Sequence, residues 1–181
     1  MDSTCFREAT IADADVIGAV HVASWRETYR GILPETLLDG LSVEARSGMW
    51  HSVLSGLVSW DGTNVFVAEN EGDVVGFGAC GAQRDKSLRE QGFDAEIGAI
   101  YVLKAAQRTG VGKGLMRLMA RFLLGSGREA ASLWVIRENA QARAFYEGLG
   151  GSLLGEKIEE LSGSILLEVA YGWSDLASLA G

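Results

Sequence analysis

The apolar residues of this chain change their period at residue 64, and that change limits the fold more than any other feature. Before it, Ile17, Val20, Ser24 and Trp25 recur at helical spacing with His21 and Thr28, which predicts a helix over 11–29. Thr10 and Asp13 stand as a capping-box variant at its start, and Gly31 and Pro34 stop it. A short helical turn is expected over 35–41, and Ser42 is placed to cap a second helix over 43–54. After residue 64 the pattern becomes that of strands. These are expected over 65–68 and 74–82 around the hairpin turn Glu71-Gly72-Asp73, then over 95–103, 132–136, 153–158 and 165–171. An edge strand fits residues 4–7, and loops fit 55–63 and 84–94. Two helices interrupt the later strands. The first, over 111–124, carries Val111, Leu115, Leu118, Met119, Phe122 and Leu123 on one stripe; the second runs over 140–149 and ends at Gly150-Gly151. Helices followed by strands that alternate with helices specify an α/β domain with a mixed sheet.

Length and composition narrow the function. The 181 residues are long enough to bury a core without disulfides or a metal, and residues 1–181 are read as a single domain. The net charge of −8 disfavours a nucleic-acid partner, which requires a basic footprint. Cys5 and Cys80 lie far apart, and His21 and His51 are the two histidines, so no metal site is expected. No stretch of about 18 apolar residues exists to span a membrane. The first ten residues lack a basic segment followed by an apolar run. The expectation is a reduced, cytoplasmic, soluble protein.

The most informative stretch is Gln107-Arg108-Thr109-Gly110-Val111-Gly112-Lys113-Gly114. It leaves an apolar strand and opens an amphipathic helix, where free backbone N–H groups and the positive helix end converge on one spot suited to phosphate. Arg108 and Lys113 add charge. A Walker A loop fails because position 107 is Gln and Lys113 is followed by Gly114; a Rossmann fingerprint fails because position 115 is Leu. The pattern Gln/Arg-x-x-Gly-x-Gly fits fully. About thirty residues later come Asn139, Ala142, Phe145, Tyr146 and Gly150, spaced as Asn-x-x-Ala-x-x-Phe-Tyr-x-x-x-Gly.

With both segments, and the element order over residues 4 to about 172, the chain resembles the GNAT superfamily of acyl-CoA-dependent N-acetyltransferases. The resemblance implies a mixed central sheet of six to seven strands flanked by helices, with a splayed parallel pair formed by residues 95–103 and 132–136. It implies acetyl-CoA as co-substrate and no metal. Pantetheine would pair with the backbone around Ile100, Tyr101 and Val102, and the pyrophosphate would sit on the amides of residues 108–113. Asn139 and Ala142 match cofactor-contacting positions. Tyr146 matches the position that protonates the leaving thiolate. A phenol, which ordinarily titrates near about 10, is protonated at neutral pH and can fill that role.

Glu96 is the candidate base, because it interrupts an apolar strand where a carboxylate is either desolvated or paired. The family's other base position, five residues before Asn139, is Trp134 here, which leaves Glu96 or a bound water. His21 is a weaker candidate for a proton relay. Trp25 and Tyr29, four apart on one helix face, are candidate acceptor-binding residues able to hold a cation, although both also suit a helix–sheet core. The stretch Ser24-Trp25-Arg26-Glu27-Thr28-Tyr29-Arg30-Gly31 resembles small-molecule and polyamine-type bacterial members, and the expected reaction is direct acetyl transfer to a primary amine of a small molecule. The second reading is an acyl-CoA-binding sensor or interaction module, against which Glu96 and Tyr146 both weigh. A homodimer is expected from an exposed last-strand edge and the aromatic tail Tyr171-Gly172-Trp173.

Overall fold

The computed structural model describes residues 4–58 and 60–181. Seven strands form one sheet: β1 (Cys5–Glu8), β2 (Asn64–Asn70), β3 (Asp73–Ala82), β4 (Ala95–Val102), β5 (Ala131–Ile136), β6 (Ser152–Leu161) and β7 (Ser164–Trp173). Their spatial order is β1-β2-β3-β4-β5-β7-β6. All neighbours are antiparallel except β4 and β5. The helices are α1 (Ala14–Tyr29), α2 (Glu35–Asp39), α3 (Val43–Leu54), α4 (Lys86–Glu90), α5 (Val111–Gly125), α6 (Ala140–Gly148) and α7 (Leu176–Ala180).

The two faces of the sheet bury different helices. Ile17 and Val20 of α1 and Trp50 of α3 pack with Val65, Val67 and Phe77 on one face. Leu115, Met116, Met119 and Leu123 of α5 fill the other, with Leu133, Val169, Tyr171 and Trp173. The aromatic tail is therefore core: Tyr171 and Trp173 are buried, and neither offers a face for a second copy.

The parallel pair is the departure from a regular sheet. Register holds only for Ala95 with Ala131 and Glu96 with Ser132, after which β4 and β5 diverge. The base of the wedge is clasped by Gln83, whose amide donates to the Ala95 carbonyl at 3.0 Å and the Ser132 hydroxyl at 2.6 Å. β4 also carries a bulge. Ala79 pairs with Ala99 and Cys80 with Ile97, so Gly98 is the extra residue. A Cβ there would stand 2.5 Å from the Trp60 indole, so Gly is required by space.

Three elements differ from expectation. Residues 84–94 contain α4, because Asp85 accepts the Leu88 amide at 3.2 Å and Leu88 is buried. The chain ends in α7, capped by Asp175 at the Ala177 amide (2.9 Å), with Leu176 and Leu179 buried. The first helix opens as a 3-10 turn over Ile11–Asp13, with Asp13 accepting the Thr10 amide at 2.7 Å. Arg7 donates to the same carboxylate and, with burial opposing, holds its pKa down at about 2.

Candidate active site

The wedge between β4 and β5 opens into a cavity of about 790 Å³. One end is made by the turn into α5. Arg108 has φ +66° and Gly110, the residue before the helix, φ +96°. These left-handed positions turn the chain sharply and aim successive amides at one point. The first intrahelical amide is that of Gly114, bonded to the Gly110 carbonyl at 2.9 Å, so Val111, Gly112 and Lys113 present amides free for a ligand. Gly112 faces Phe145, which a Cβ would approach to 3.1 Å. Gly114 has a packing role instead of a place in the turn's ligand surface: Phe6 of β1 lies against it.

The side chains of the turn divide their work. Arg108 and Lys113 are exposed at the cavity rim and supply charge. Gln107 donates to the Val102 carbonyl at 3.1 Å and accepts from Gln141 at 2.9 Å, tying the end of β4 to α6. Thr109 donates to the Ala106 carbonyl at 2.7 Å. The Val111 side chain is core, so Thr109 and Val111 can serve a ligand through their backbone. Ile100, Tyr101 and Val102 line the cavity from β4, and Asn139 and Ala142 line it from the start of α6. Asn139 also caps that helix, accepting the Ala142 amide at 3.2 Å.

Tyr146 stands at the inner wall with Phe145, Tyr171 and Trp173 at ring distances of 5.4, 6.0 and 6.1 Å. Burial, with the Tyr29 and Tyr101 phenols beside it, pushes its pKa well above that of an ordinary phenol. The hydroxyl therefore stays protonated at neutral pH and makes no side-chain hydrogen bond among the described residues. Burial likewise raises Tyr29, with Tyr101 and Glu168 adding to it. Trp25 meets Tyr29 edge-on at 5.0 Å, and both line the cavity. The cation that Trp25 meets in the chain itself is Arg46, 5.9 Å from the ring centroid.

Two predicted residues lie elsewhere. Glu96 sits where β4 and β5 still pair and does not line the cavity. Arg84 takes both of its oxygens, at 2.7 Å and 2.9 Å, and the Arg84 amide adds a third bond at 3.2 Å. The sequence alternative of a paired carboxylate is the one realised. His21 is buried behind Tyr101, stacked at 4.8 Å. Its Nδ1 accepts from the Trp50 indole at 3.0 Å. Burial, with Arg46 adding, lowers its pKa to about 4, so it is neutral at pH 7. Its Nε2, like the Trp25 indole N–H, is buried with no partner among the described residues.

Sequence reasoning missed the other end of the cavity. Trp134 lines it from β5, Lys157 and Glu159 from β6, and Glu168 from β7. The Lys157 ammonium lies 4.5 Å from the Trp134 ring centroid, 3.4 Å from Glu159 and 3.5 Å from Glu168. The signal was present as Lys157 and Glu159 alternating along a strand, opposite Glu168 across the hairpin.

A basic amide-rich turn, a splayed apolar channel and a protonated phenol fit an acyl thioester carried on a phosphorylated handle. Residues 22–150 match the acetyltransferase (GNAT) family. An uncharacterized N-acetyltransferase of Bacillus subtilis is 38% identical over 175 residues, which cover 96% of this chain and 94% of that protein. Among solved structures, the PaiA N-acetyltransferase of Thermoplasma acidophilum, in complex with coenzyme A, shares the fold with a TM-score of 0.66. It is 22% identical and covers 92% of this chain and 98% of its own. The ribosomal-protein-alanine N-acetyltransferase of Brucella melitensis gives a TM-score of 0.68 at 22% identity, covering 93% and 98%. The chain thus belongs to the GNAT family of acetyltransferases, as an acyltransferase whose donor is acetyl-CoA.

Proposed function

We propose that the protein moves the acetyl group of acetyl-CoA directly to the primary amine of a small molecule. The observation that carries this reading is the placement of Tyr146. It is a buried, protonated phenol that makes no side-chain hydrogen bond among the described residues, on the cavity that begins at the phosphate turn. Arg108, Lys113 and the amides of Val111–Lys113 hold the pyrophosphate, while the edge of β4 at Ile100–Val102 receives the pantetheine arm. Bound acetyl-CoA supplies an activated acyl carbon and a thiolate leaving group.

The amine nitrogen forms a bond to the acyl carbon as a neutral species. The proton it must shed passes to water at the open end of the cavity, since Arg84 occupies both oxygens of Glu96. As the carbon–sulfur bond breaks, Tyr146 gives its proton to the sulfur and regains one from solvent. The β4 backbone beside the Gly98 bulge is the proposed donor to the oxyanion. Trp25 and Tyr29 form the acceptor-side wall.

The test is free-thiol release from acetyl-CoA across a panel of small amines, amino acids and peptide N-termini, with calorimetry of CoA binding alongside. Amine-dependent thiol release supports the reading. CoA binding without thiol release for any amine replaces it with a binding module, and absence of CoA binding removes both.

A further inference from the structure

The acceptor end of the cavity already holds a cation, and it is the protein's own. The Lys157 ammonium lies over the face of Trp134 and between the carboxylates of Glu159 and Glu168. Resting on the function proposed above, we propose that Trp134, Glu159 and Glu168 form a subsite for a second, non-reacting ammonium of the acceptor. Lys157 is the tethered cation that occupies this subsite and yields it when the acceptor enters. The acceptor class is an alkyl diamine or a longer polycation.

The site is built. The Trp134 indole N–H donates to Asp85 at 3.2 Å, and the other oxygen of Asp85 caps α4, so the ring is fixed from behind. An indole face held in this way attracts a cation through its quadrupole. The charges do not balance: two carboxylates face one ammonium, which leaves the subsite formally one unit negative with Lys157 in place. The opposite end, with Arg108 and Lys113, is positive, so the cavity is polarised along its length.

The tenant is also easier to move than Glu168, although Glu159 shares its strand and is more exposed. Lys157 lies on β6, at the outer edge of the sheet, with 35% of its side chain exposed, whereas Glu168 on β7 is 20% exposed. Glu168 lines the same cavity as Tyr29, Tyr101 and Tyr146, which sets the subsite in one space with the proposed reacting region. The reacting nitrogen must be neutral at attack and has little use for two carboxylates. A remote ammonium stays charged through the reaction and gains from them throughout. An acceptor carboxylate directed at Lys157 would instead have to lie beside both glutamates, at the cost of like-charge repulsion.

Calorimetry on the CoA-saturated full chain tests this with 1,5-pentanediamine, pentylamine and 5-aminopentanoate, which share a chain length and carry at the far end an ammonium, a methyl and a carboxylate. The diamine is expected to bind about tenfold tighter than pentylamine, as one desolvated cation–π and carboxylate contact allows. Glu168→Gln and Glu159→Gln should each weaken the diamine by about fivefold and leave pentylamine unmoved, while Lys157→Met tightens the diamine by about threefold or more. Unchanged CoA affinity reports that each variant is folded, and the exposed Glu159 keeps the test alive if Glu168→Gln is not.

Equal binding of diamine and monoamine overturns the proposal, as does no diamine binding at all by protein that binds CoA. Preferred binding of 5-aminopentanoate, lost in Lys157→Met, overturns it in favour of an anionic acceptor. Thiol release measured on the same mixtures separates the two readings. Diamine binding that depends on both glutamates without thiol release keeps the subsite and rejects the transferase reaction. Thiol release with a monoamine as good as the diamine does the reverse.

Discussion

The two ends of the cavity are built from different materials. On the function proposed, the donor end is backbone: the amides of Val111–Lys113, delivered by two left-handed residues in one short turn. On the same proposal the acceptor end is side chain, with Trp25 and Tyr29 from α1, Trp134 from β5, Lys157 and Glu159 from β6, and Glu168 from β7 lining the cavity. A backbone site depends on local φ and ψ and so leaves a contiguous mark in the sequence. A side-chain site assembled from four elements can change its specificity one residue at a time without disturbing the sheet. On that proposal, one cavity holds the donor by what the fold cannot alter and the acceptor by what it can.

Removing the group between the two ends should have the largest effect. Tyr146→Phe is expected to lower kcat by about a thousandfold while changing the KM for acetyl-CoA by about twofold or less, the pattern of a lost general acid. Stopped-flow thiol detection reads both constants, and near-normal turnover would take Tyr146 out of the chemistry.

The wall behind the acceptor end should be sensitive to acid. His21 is held at about 4 against 6.5 when unfolded, so the unfolded state binds the extra proton. Its contribution is fully present above pH 6.5 and is lost as pH falls through about 4, amounting to about 3 kcal/mol. Urea unfolding at about pH 7 and about pH 4 should show that loss in the wild type and a smaller one in His21→Gln. Equal losses would mean that burial of His21 is not what makes the wall acid-sensitive.

The donor end should respond to backbone strain alone. Gly110→Ala places a side chain at φ +96°, and the strain of about 1–2 kcal/mol should weaken acetyl-CoA binding about tenfold, with kcat at saturation unchanged. A fall in kcat would show that the turn and the reacting end are not separable. The smallest effect is expected from Glu96→Gln, which breaks a partly exposed pair with Arg84 and should cost about threefold or less in kcat while keeping the acidic limb of the pH–rate profile. Loss of that limb would restore Glu96 as the base.

Legibility in the sequence followed the same division. The turn at 107–114, the order of strands and helices, and the wedge all followed from local periodicity together with a family resemblance. Tyr146 and Asn139 are legible through the resemblance to the family, whose motif falls within one short helix and its cap. What escaped notice depends on register. Lys157 and Glu168 are eleven residues apart in the chain and become directly opposed only once the β6–β7 hairpin is paired. The pairing of Glu96 with Arg84 likewise requires β3 to run into the segment beside β4, bringing together residues twelve apart. α4 and α7 escaped because each is a single turn or so, too short for a helical period, although Asp85 and Asp175 stood in capping position before a buried Leu.

The divergence of β4 from β5 has a consequence beyond catalysis. A strand that leaves its neighbour exposes a row of unpaired donors and acceptors, the feature by which sheets recruit foreign strands and aggregate. Here two such rows lie in the middle of a seven-stranded sheet, with α1 packed on one face and α5 on the other. On the function proposed, the adhesive capacity of a sheet edge is kept and reserved for a slender guest that lies between the strands as a substitute for a missing one.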